Sequence, residues 1–156
     1  MQVIDSYLSG RWMPGTGAAT TLLNPATEAP LASASSEGLD LAAALAFARD
    51  QGGPALRALS FAERGALLKG MAEALQDARD DLLQLGIANG GNTRSDAKFD
   101  VDGAIGTLLA YAELGEALGA GKFLVDGDGI QLGRSPRFHG QHFAVPRMGV
   151  AVHINA

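Results

Sequence analysis

The last eleven residues, Pro146-Arg-Met-Gly-Val-Ala-Val-His-Ile-Asn-Ala156, constrain the fold of this chain more than any other stretch. After a proline and a glycine, residues 150–154 form a short apolar, β-branched run, which predicts a strand buried on both faces. Such strands belong to parallel sheets whose faces are covered by helices. No partner strand or covering helix follows this run in the sequence. We therefore expect the chain to be the front part of a larger α/β protein.

Composition and charge exclude several classes of protein. With 17 acidic and 12 basic residues the formal net charge is -5, which argues against a general nucleic-acid binder. No apolar run reaches the roughly 20 residues that span a bilayer. The first residues lack the pattern of a signal peptide, so we expect a cytoplasmic protein without a membrane partner. The absence of cysteine excludes disulfides, thiolate metal ligands and a cysteine nucleophile within these residues.

The first third of the chain predicts short strands and then a helix. Runs at 7–12, 20–23 and 31–35 predict strands, with turns at 13–17 and at Asn24-Pro25. The single tryptophan, Trp12, is interpreted as cover for the edge of the core. Helical spacing at 39–51 predicts a first helix that ends at 52–54, with Ser36 as its cap.

A capping box opens the strongest helical pattern. In Ser60-Phe-Ala-Glu63, the serine side chain can accept from the backbone N–H three residues on, and the glutamate can reach back. The helix is expected to run to residue 89 and to stop at 89–92, with charged residues 77–81 as a solvated face. Its predicted apolar stripe consists of Leu67, Leu68, Met71, Leu75, Ala78, Leu82 and Leu85.

A third long helix is predicted from Ser95 to a stop at Gly119. Gly103 and Gly106 lie in its interior, one turn apart, although each costs about 1 kcal/mol relative to alanine. Either the two glycines permit close helix packing, or they keep a face clear for a ligand.

The remaining residues predict β-structure with a positive charge. Asp-Gly turn chemistry predicts a hairpin over 122–132, and alternation predicts a strand over 138–145. After Asp128 there is no acidic residue. The strip that follows is interpreted as a solvated hairpin face, with an anion site as the alternative. It contains Arg134, Arg137, Arg147, His139, His142 and His153.

The residues themselves indicate little catalytic chemistry. There is no G-x-S-x-G elbow for a serine nucleophile, and the three histidines lack metal-binding spacing with a carboxylate. His153, in an apolar run, is interpreted as a core histidine. We therefore predict no catalytic residue and no metal site.

Short motifs in a fixed order resemble the N-terminal part of the aldehyde dehydrogenase superfamily, from about residue 6 to 156. They are Gly10-Arg-Trp12, Asn24-Pro-Ala-Thr27, Phe47-Ala-Arg49, Glu63-Arg64, Tyr111-Ala112 and residues 146–156. Residues 36–40, 53–57, 103–108 and 149–156 look most like the coenzyme-A-linked semialdehyde dehydrogenases of aerobic aromatic degradation. These are the dehydrogenase half of the ring-opening protein of phenylacetate breakdown and its relative in benzoyl-CoA breakdown.

The resemblance implies an α/β fold: part of a Rossmann-like dinucleotide-binding domain with a protruding oligomerisation hairpin. It assigns 1–121 to the strands and helices of that domain, 122–147 to the hairpin that pairs subunits, and 148–156 to the first strand of the dinucleotide sheet. It implies NADP or NAD as the cofactor. Ile154, Asn155 and Ala156 match positions beside the nicotinamide ribose.

The resemblance also implies a substrate tunnel along the third helix, at Phe99, Gly103, Gly106 and Thr107. The expected partners are an aldehyde, a CoA thioester semialdehyde, and a second copy of the chain in a homo-dimer. In relatives the catalytic cysteine and general-base glutamate lie further downstream, so this chain is expected to be inactive alone. The alternative function is a non-catalytic oligomerisation module of the same fold.

Overall fold

The structure, a computed structural model, describes residues 2–154. An N-terminal group of short strands precedes a helical region, and a two-stranded ribbon follows it. Strands β1 (Gln2–Ile4), β5 (Pro30–Ala34) and β4 (Thr20–Leu23) form one sheet, in which β5 is central, parallel to β1 and antiparallel to β4. The predicted strands at 20–23 and 31–35 are confirmed. Strand β1 was not predicted, because three residues are too few to display a period.

The predicted strand at 7–12 is two strands. Strands β2 (Ser6–Leu8) and β3 (Arg11–Met13) form an antiparallel hairpin in which Leu8 pairs with Arg11. Ser9 and Gly10 form the two-residue loop, both with positive φ, as the right-handed twist of a tight hairpin requires. The Tyr7 and Trp12 rings meet edge to face on it at 5.0 Å, with Trp12 69% exposed.

The turn predicted at Asn24-Pro25 is present between β4 and β5. The Asn24 side-chain oxygen accepts hydrogen bonds from the backbone N–H groups of Ala26 and Thr27, at 2.8 and 3.1 Å. This is the local closure that asparagine favours in turns. The Pro25 ring also lies against Gly91, whose positive φ ends a later helix.

The first helical segment extends beyond its predicted end. Helix α1 (Leu41–Phe47) continues through a π-helical turn (Ala48–Gly52) into α2 (Gly53–Ala58). The stop predicted at 52–54 is wrong, because Pro54 lies in the first turn of α2, where no N–H partner is needed. The N-cap is Asp40, which accepts from the Ala43 N–H at 2.8 Å, and not Ser36.

The capping box is confirmed at the start of α3 (Phe61–Asp77). The Ser60 hydroxyl accepts from the Glu63 N–H at 3.2 Å, and the Glu63 carboxylate accepts from the Ser60 N–H at 2.7 Å. These bonds lower the pKa of Glu63, with the backbone N–H of Ser60 as the largest cause. The long helix predicted to residue 89 is divided at Ala78 into α3 and α4 (Arg79–Gly90), which ends at Gly91 as predicted.

Helix α5 (Arg94–Leu118) packs along α3. Its N-cap is Thr93 rather than Ser95, and Gly119 ends it as predicted. The two helices approach closely at Gly65 and Gly115: a Cβ atom added to Gly115 would lie 2.7 Å from the Phe61 carbonyl oxygen and 2.9 Å from the Gly65 Cα. The loop after α5 supplies carbonyls to the first N–H groups of α3, with Phe61 N–H donating to Gly121 O at 2.8 Å.

The apolar stripe predicted on the long helix is not its buried face. The buried residues of α3 are Gly65 and Ala72, whereas Leu67, Met71 and Leu85 are half or more exposed. Small residues let α3 and α5 approach, so their large apolar side chains face elsewhere. Within residues 2–154 the only large side chain that is fully buried is Leu83.

The ribbon differs from the hairpin predicted over 122–132. Strand β6 (Leu124–Gln131) is continuous and pairs antiparallel with β7 (His139–Ala144), which confirms the second strand. The Asp-Gly residues form an irregularity between Asp126 and Ile130, and the reversal lies at 132–138. Gln141 donates from Nε2 to the Gly127 carbonyl at 2.8 Å, so the partner strand accommodates the extra residues as a bulge.

The strand predicted at 150–154 is not formed in this chain. These residues take no strand pairing, and Val152 and Ile154 are 75% and 91% exposed. A β-strand is defined by hydrogen bonds to a neighbour, and no described segment lies beside this one. The expected burial on both faces is likewise wrong for the chain as it stands, His153 included.

Candidate functional site

The four residues expected to line a substrate tunnel lie on one side of α5. At about 100° per residue, Phe99, Gly103, Gly106 and Thr107 occupy an arc of about 100° on the helix surface. The buried residues of α5, among them Ala97, Ile105 and Ala112, lie on the opposite side, against α3. All four candidate residues are exposed, and Phe99 is 80% exposed. We call this arc the α5 outer face.

The α5 outer face is open at both glycines. A Cβ atom added to Gly103 or Gly106 would meet no other atom within 4 Å. Close helix packing, one of the two interpretations of this pair, is therefore wrong within the described residues. The glycines that do permit close packing are Gly65 and Gly115.

The Thr107 side chain is hydrogen-bonded to the helix backbone on this face. Its hydroxyl donates to the Gly103 carbonyl oxygen at 2.8 Å, across one helical turn. That bond directs the hydroxyl along the helix. The α5 outer face thus consists of an aromatic ring, two bare backbone positions and a threonine whose hydroxyl is already hydrogen-bonded.

An ion pair holds α5 at the residue before Gly103. Arg79, the first residue of α4, donates to Asp102 through Nε at 2.6 Å and Nη2 at 3.0 Å, in a bidentate arrangement. The Arg79 side chain is 24% exposed and that of Asp102 is 41% exposed. Hydrogen bonding from Arg79 lowers the pKa of Asp102 below its ordinary value. The interpretation of residues 77–81 as a wholly solvated face is wrong for Arg79.

Sequence reasoning missed the Arg79–Asp102 ion pair and the glycines at the crossing of α3 and α5. Arg79 and Asp102 are 23 residues apart, and no periodic pattern joins them. Gly65 did carry a signal, because a glycine inside a strong helical pattern indicates close approach of another backbone. Gly115, its partner at the crossing, is buried in α5.

An apolar groove lies beside the α5 outer face, between α4 and α5. Its volume is about 350 Å³, and most of its lining is apolar. The side chains around it include Leu82, Leu85, Gly86, Val101 and Ala104. The groove extends the apolar surface available next to Gly103.

The segment expected beside the cofactor is only partly described. Ile154 lies in an irregular, exposed stretch, and Asn155 and Ala156 lie outside the described residues. Their expected place beside the nicotinamide ribose therefore stays a prediction.

Two further findings concern the described part of the molecule. No helix in it is both long and apolar enough to cross a membrane. Within residues 2–154, His, Asp and Glu side chains also form no group of three or more that could hold a metal ion.

Similarity to known proteins covers nearly the whole chain. It is 47% identical over 153 residues to the 3,4-dehydroadipyl-CoA semialdehyde dehydrogenase of Aromatoleum evansii, which covers 98% of this chain and 30% of that protein. It is 29% identical over 115 residues to the NADP(+) succinate-semialdehyde dehydrogenase GabD of Escherichia coli, covering 73% of this chain and 24% of the relative. The chain thus spans about a third or less of the length of the curated relatives it matches.

Solved structures agree at the level of the fold. An NAD-dependent benzaldehyde dehydrogenase from Corynebacterium glutamicum superposes with a TM-score of 0.66 at 20% identity, over 81% of this chain and 27% of that one. A betaine aldehyde dehydrogenase from Staphylococcus aureus, in complex with NAD+, superposes with a TM-score of 0.64 at 18% identity, over 80% and 25%. Residues 12–137 match the aldehyde dehydrogenase family. With this match and the 47% identity to a curated relative, the chain belongs to the aldehyde dehydrogenase family.

Proposed function

We propose that this chain is the N-terminal part of an NAD- or NADP-dependent aldehyde dehydrogenase that oxidises a CoA-linked semialdehyde to the acid in aromatic-compound degradation. One observation carries the proposal: 47% identity over 153 residues to a protein named for a CoA-linked semialdehyde. The identity extends over the strands, the helices and the ribbon alike. The phenylacetate and benzoyl-CoA pathways both remain candidates for the parent reaction.

The α5 outer face supports a bulky substrate. A side chain at Gly103 or Gly106 would project from the helix into open space, so the absence of one leaves room. A CoA thioester semialdehyde carries its aldehyde at the end of a long acyl arm, which needs a wide approach. We propose that Phe99, Gly103, Gly106 and Thr107 form one wall of that approach.

This chain supplies structure and not the reacting groups. An aldehyde dehydrogenase nucleophile must add to the aldehyde carbon before hydride can leave for the nicotinamide, and a thiolate does this best. None of the 156 residues is a cysteine. We therefore propose that the chain alone is inactive, and that Ile154, Asn155 and Ala156 contribute only part of the cofactor wall.

A second candidate is a non-catalytic oligomerisation module. The ribbon favours it, because Val125 and Phe143 are opposite one another on β6 and β7 and are 52% and 66% exposed. Such a cross-strand apolar pair is suited to contact with another subunit. The two functions make different predictions for a protein that contains the missing residues.

A chimera separates the two functions. This chain replaces the matching 30% of the Aromatoleum evansii enzyme, whose remaining length supplies the other residues. We expect the chimera to reduce NAD+ or NADP+ with 3,4-dehydroadipyl-CoA semialdehyde, followed by nicotinamide absorbance. A folded chimera that assembles but oxidises no semialdehyde contradicts the dehydrogenase proposal and favours the module.

A pair of variants of the chimera tests the tunnel wall. Gly103→Met fills the open position on the α5 outer face, whereas Gly70→Met, at an exposed and equally open glycine of α3, serves as the matched control. We expect Gly103→Met to lower kcat/KM for the CoA-linked substrate by about tenfold or more and to spare succinate semialdehyde. Equal effects on the two substrates would show that Gly103 does not line the substrate tunnel.

A further inference from the structure

The loop that joins β6 to β7, residues 132–138, gathers positive charge at one end of the ribbon. The first 128 residues hold 17 acidic and nine basic side chains, and the last 28 hold three arginines and no acidic side chain. Arg134 and Arg137 both lie in this loop, and His139 begins β7 directly after it. We call these three residues and Phe138 the ribbon tip.

The ribbon tip is held in one shape by its own hydrogen bonds. Leu132 N–H donates to the Phe138 carbonyl at 2.8 Å and closes the loop, and Phe138 N–H donates to the Ser135 carbonyl at 3.1 Å across a turn that contains Pro136. Gln131 Nε2 also donates to the Gly133 carbonyl at 2.7 Å. The Cα atoms of Arg134 and Arg137 are three residues apart and so at most about 11 Å from each other.

The two guanidinium groups are free for a ligand. Arg134 and Arg137 are exposed, and neither makes an ion pair with a carboxylate of residues 2–154. The carboxylates of the ribbon itself, Asp126 and Asp128, are separated from the loop by Ile130 and Gln131. Arginine in this state presents a planar fork that matches the oxygens of a phosphate.

The ribbon tip also carries an aromatic ring, that of Phe138, directly after Arg137 in the chain. Phe138 is 59% exposed, and the backbone of Gly133 lies against one edge of its ring, where an added Cβ would be 3.3 Å from Cδ1. More than half of the residue surface is thus exposed to solvent. A nucleobase stacks on such a ring while arginines bind its phosphates. Isolated phosphate would make no use of Phe138.

We propose, on the basis of the function proposed above, that the ribbon tip binds the 3′-phosphoadenosine diphosphate end of a CoA thioester, with Arg134 and Arg137 on its phosphates and Phe138 beneath its adenine. The ribbon thereby binds the nucleotide end of the CoA thioester. The acyl arm, which carries the aldehyde, enters along another surface. No covalent step takes place at this site.

Calorimetric titration of the 156-residue chain with CoA and with 3′,5′-ADP tests the proposal. The double substitution Arg134→Gln and Arg137→Gln should weaken both ligands by about tenfold or more, because two charge-assisted contacts are lost. The matched control, Arg11→Gln with Arg94→Gln, removes the same charge from two exposed positions outside the ribbon and should change affinity by less than about twofold. Phe138→Leu should weaken 3′,5′-ADP about fivefold and leave pyrophosphate unchanged.

Several results would overturn the proposal: no binding of CoA by the unmodified chain, an equal loss in both double variants, or displacement by inorganic phosphate at the same concentration as by 3′,5′-ADP. The last would mean an adventitious anion only. In the chimera, Arg137→Gln should raise KM for the CoA-linked semialdehyde by about tenfold and leave succinate semialdehyde unaffected. A chimera without activity refutes the proposed function, whereas CoA binding to the chain is measured independently of it.

Discussion

Two pairs of glycines in the helices occupy opposite environments. Gly65 and Gly115 meet where α3 crosses α5, and Gly103 and Gly106 face open space. The backbone entropy of a helical glycine is the same in both pairs, so only the surroundings decide the effect of a side chain. Sequence reasoning identified the unusual pair on α5 and could not tell which glycines were packed.

Gly115→Ala should therefore destabilise the chain, by about 1–3 kcal/mol, because its Cβ would overlap the Phe61 carbonyl oxygen and the Gly65 Cα. Gly103→Ala should instead stabilise it by about 0.5–1 kcal/mol through helix propensity. Urea unfolding of both variants measures the two free energies. Changes of the same sign would mean that the α3–α5 crossing is not as close as described.

The capping box is the residue-scale feature that sequence predicted most completely. Ser60 is 7% exposed, and its bonds to Glu63 are local, so no tertiary information was needed to find them. Ser60→Ala should lower the free energy of unfolding by about 1 kcal/mol. Ser36→Ala, at the position wrongly expected to cap the first helix, is the control and should have no comparable effect.

At the scale of elements, the Arg79–Asp102 pair joins α4 to α5 next to Gly103. The pKa of Asp102 is lowered in the folded chain, so folding favours its ionised form. The stabilisation is fully present above the ordinary carboxyl pKa, about 4, and is lost as pH falls through the lowered value. The pKa of Glu63 is lowered as well, so stability must be compared between two proteins that differ only at residue 102.

Urea midpoints of the chain and of Asp102→Asn, measured across pH, make that comparison. We expect a constant difference above about pH 5 and a difference that shrinks as the pH falls towards 2. Arg79→Lys keeps the positive charge but not the bidentate guanidinium geometry, so this variant should lose part of the same stability. A difference independent of pH would show that Asp102 is not stabilised in its ionised form.

Elements set by neighbouring residues were predictable from the sequence, whereas those set by a distant partner were not. Capping, the Asn24 turn, β4, β5 and the ends of α4 and α5 were predictable because each depends on residues within a few positions. The Asp-Gly residues at 126–129 have the composition of a turn, but in the structure they form a bulge in the pairing of β6 with β7. Residues 150–154 have strand composition and no described neighbour to pair with, so composition alone did not determine their state.

At the scale of the molecule, apolar surface is distributed over faces that the chain does not cover. Phe99, Met148 and Ile154 are 80%, 79% and 91% exposed, and the ribbon is exposed on both of its faces. We interpret these exposed apolar side chains as surface that contacts other protein. We expect the remaining residues of the proposed parent enzyme and a second subunit to cover it.

The isolated chain should therefore self-associate. Light scattering over a concentration series should give a mass that rises above 16.0 kDa, and Phe143→Glu should reduce the rise by removing an exposed apolar side chain from the ribbon. Glu113→Gln, on α5, is the control. A mass that stays at the monomer value at all concentrations would contradict the expected association through the ribbon.

We propose that these 156 residues supply the framework and a substrate wall of an aldehyde dehydrogenase without its reacting groups. A nicotinamide absorbance assay of the isolated chain, with NAD+ or NADP+ and either a CoA-linked or a free semialdehyde, tests this proposal. We predict no reduction above background, because the chain has no cysteine to add to the aldehyde. Steady reduction of the dinucleotide by the purified chain would contradict the proposal, because an active site would then lie within these residues.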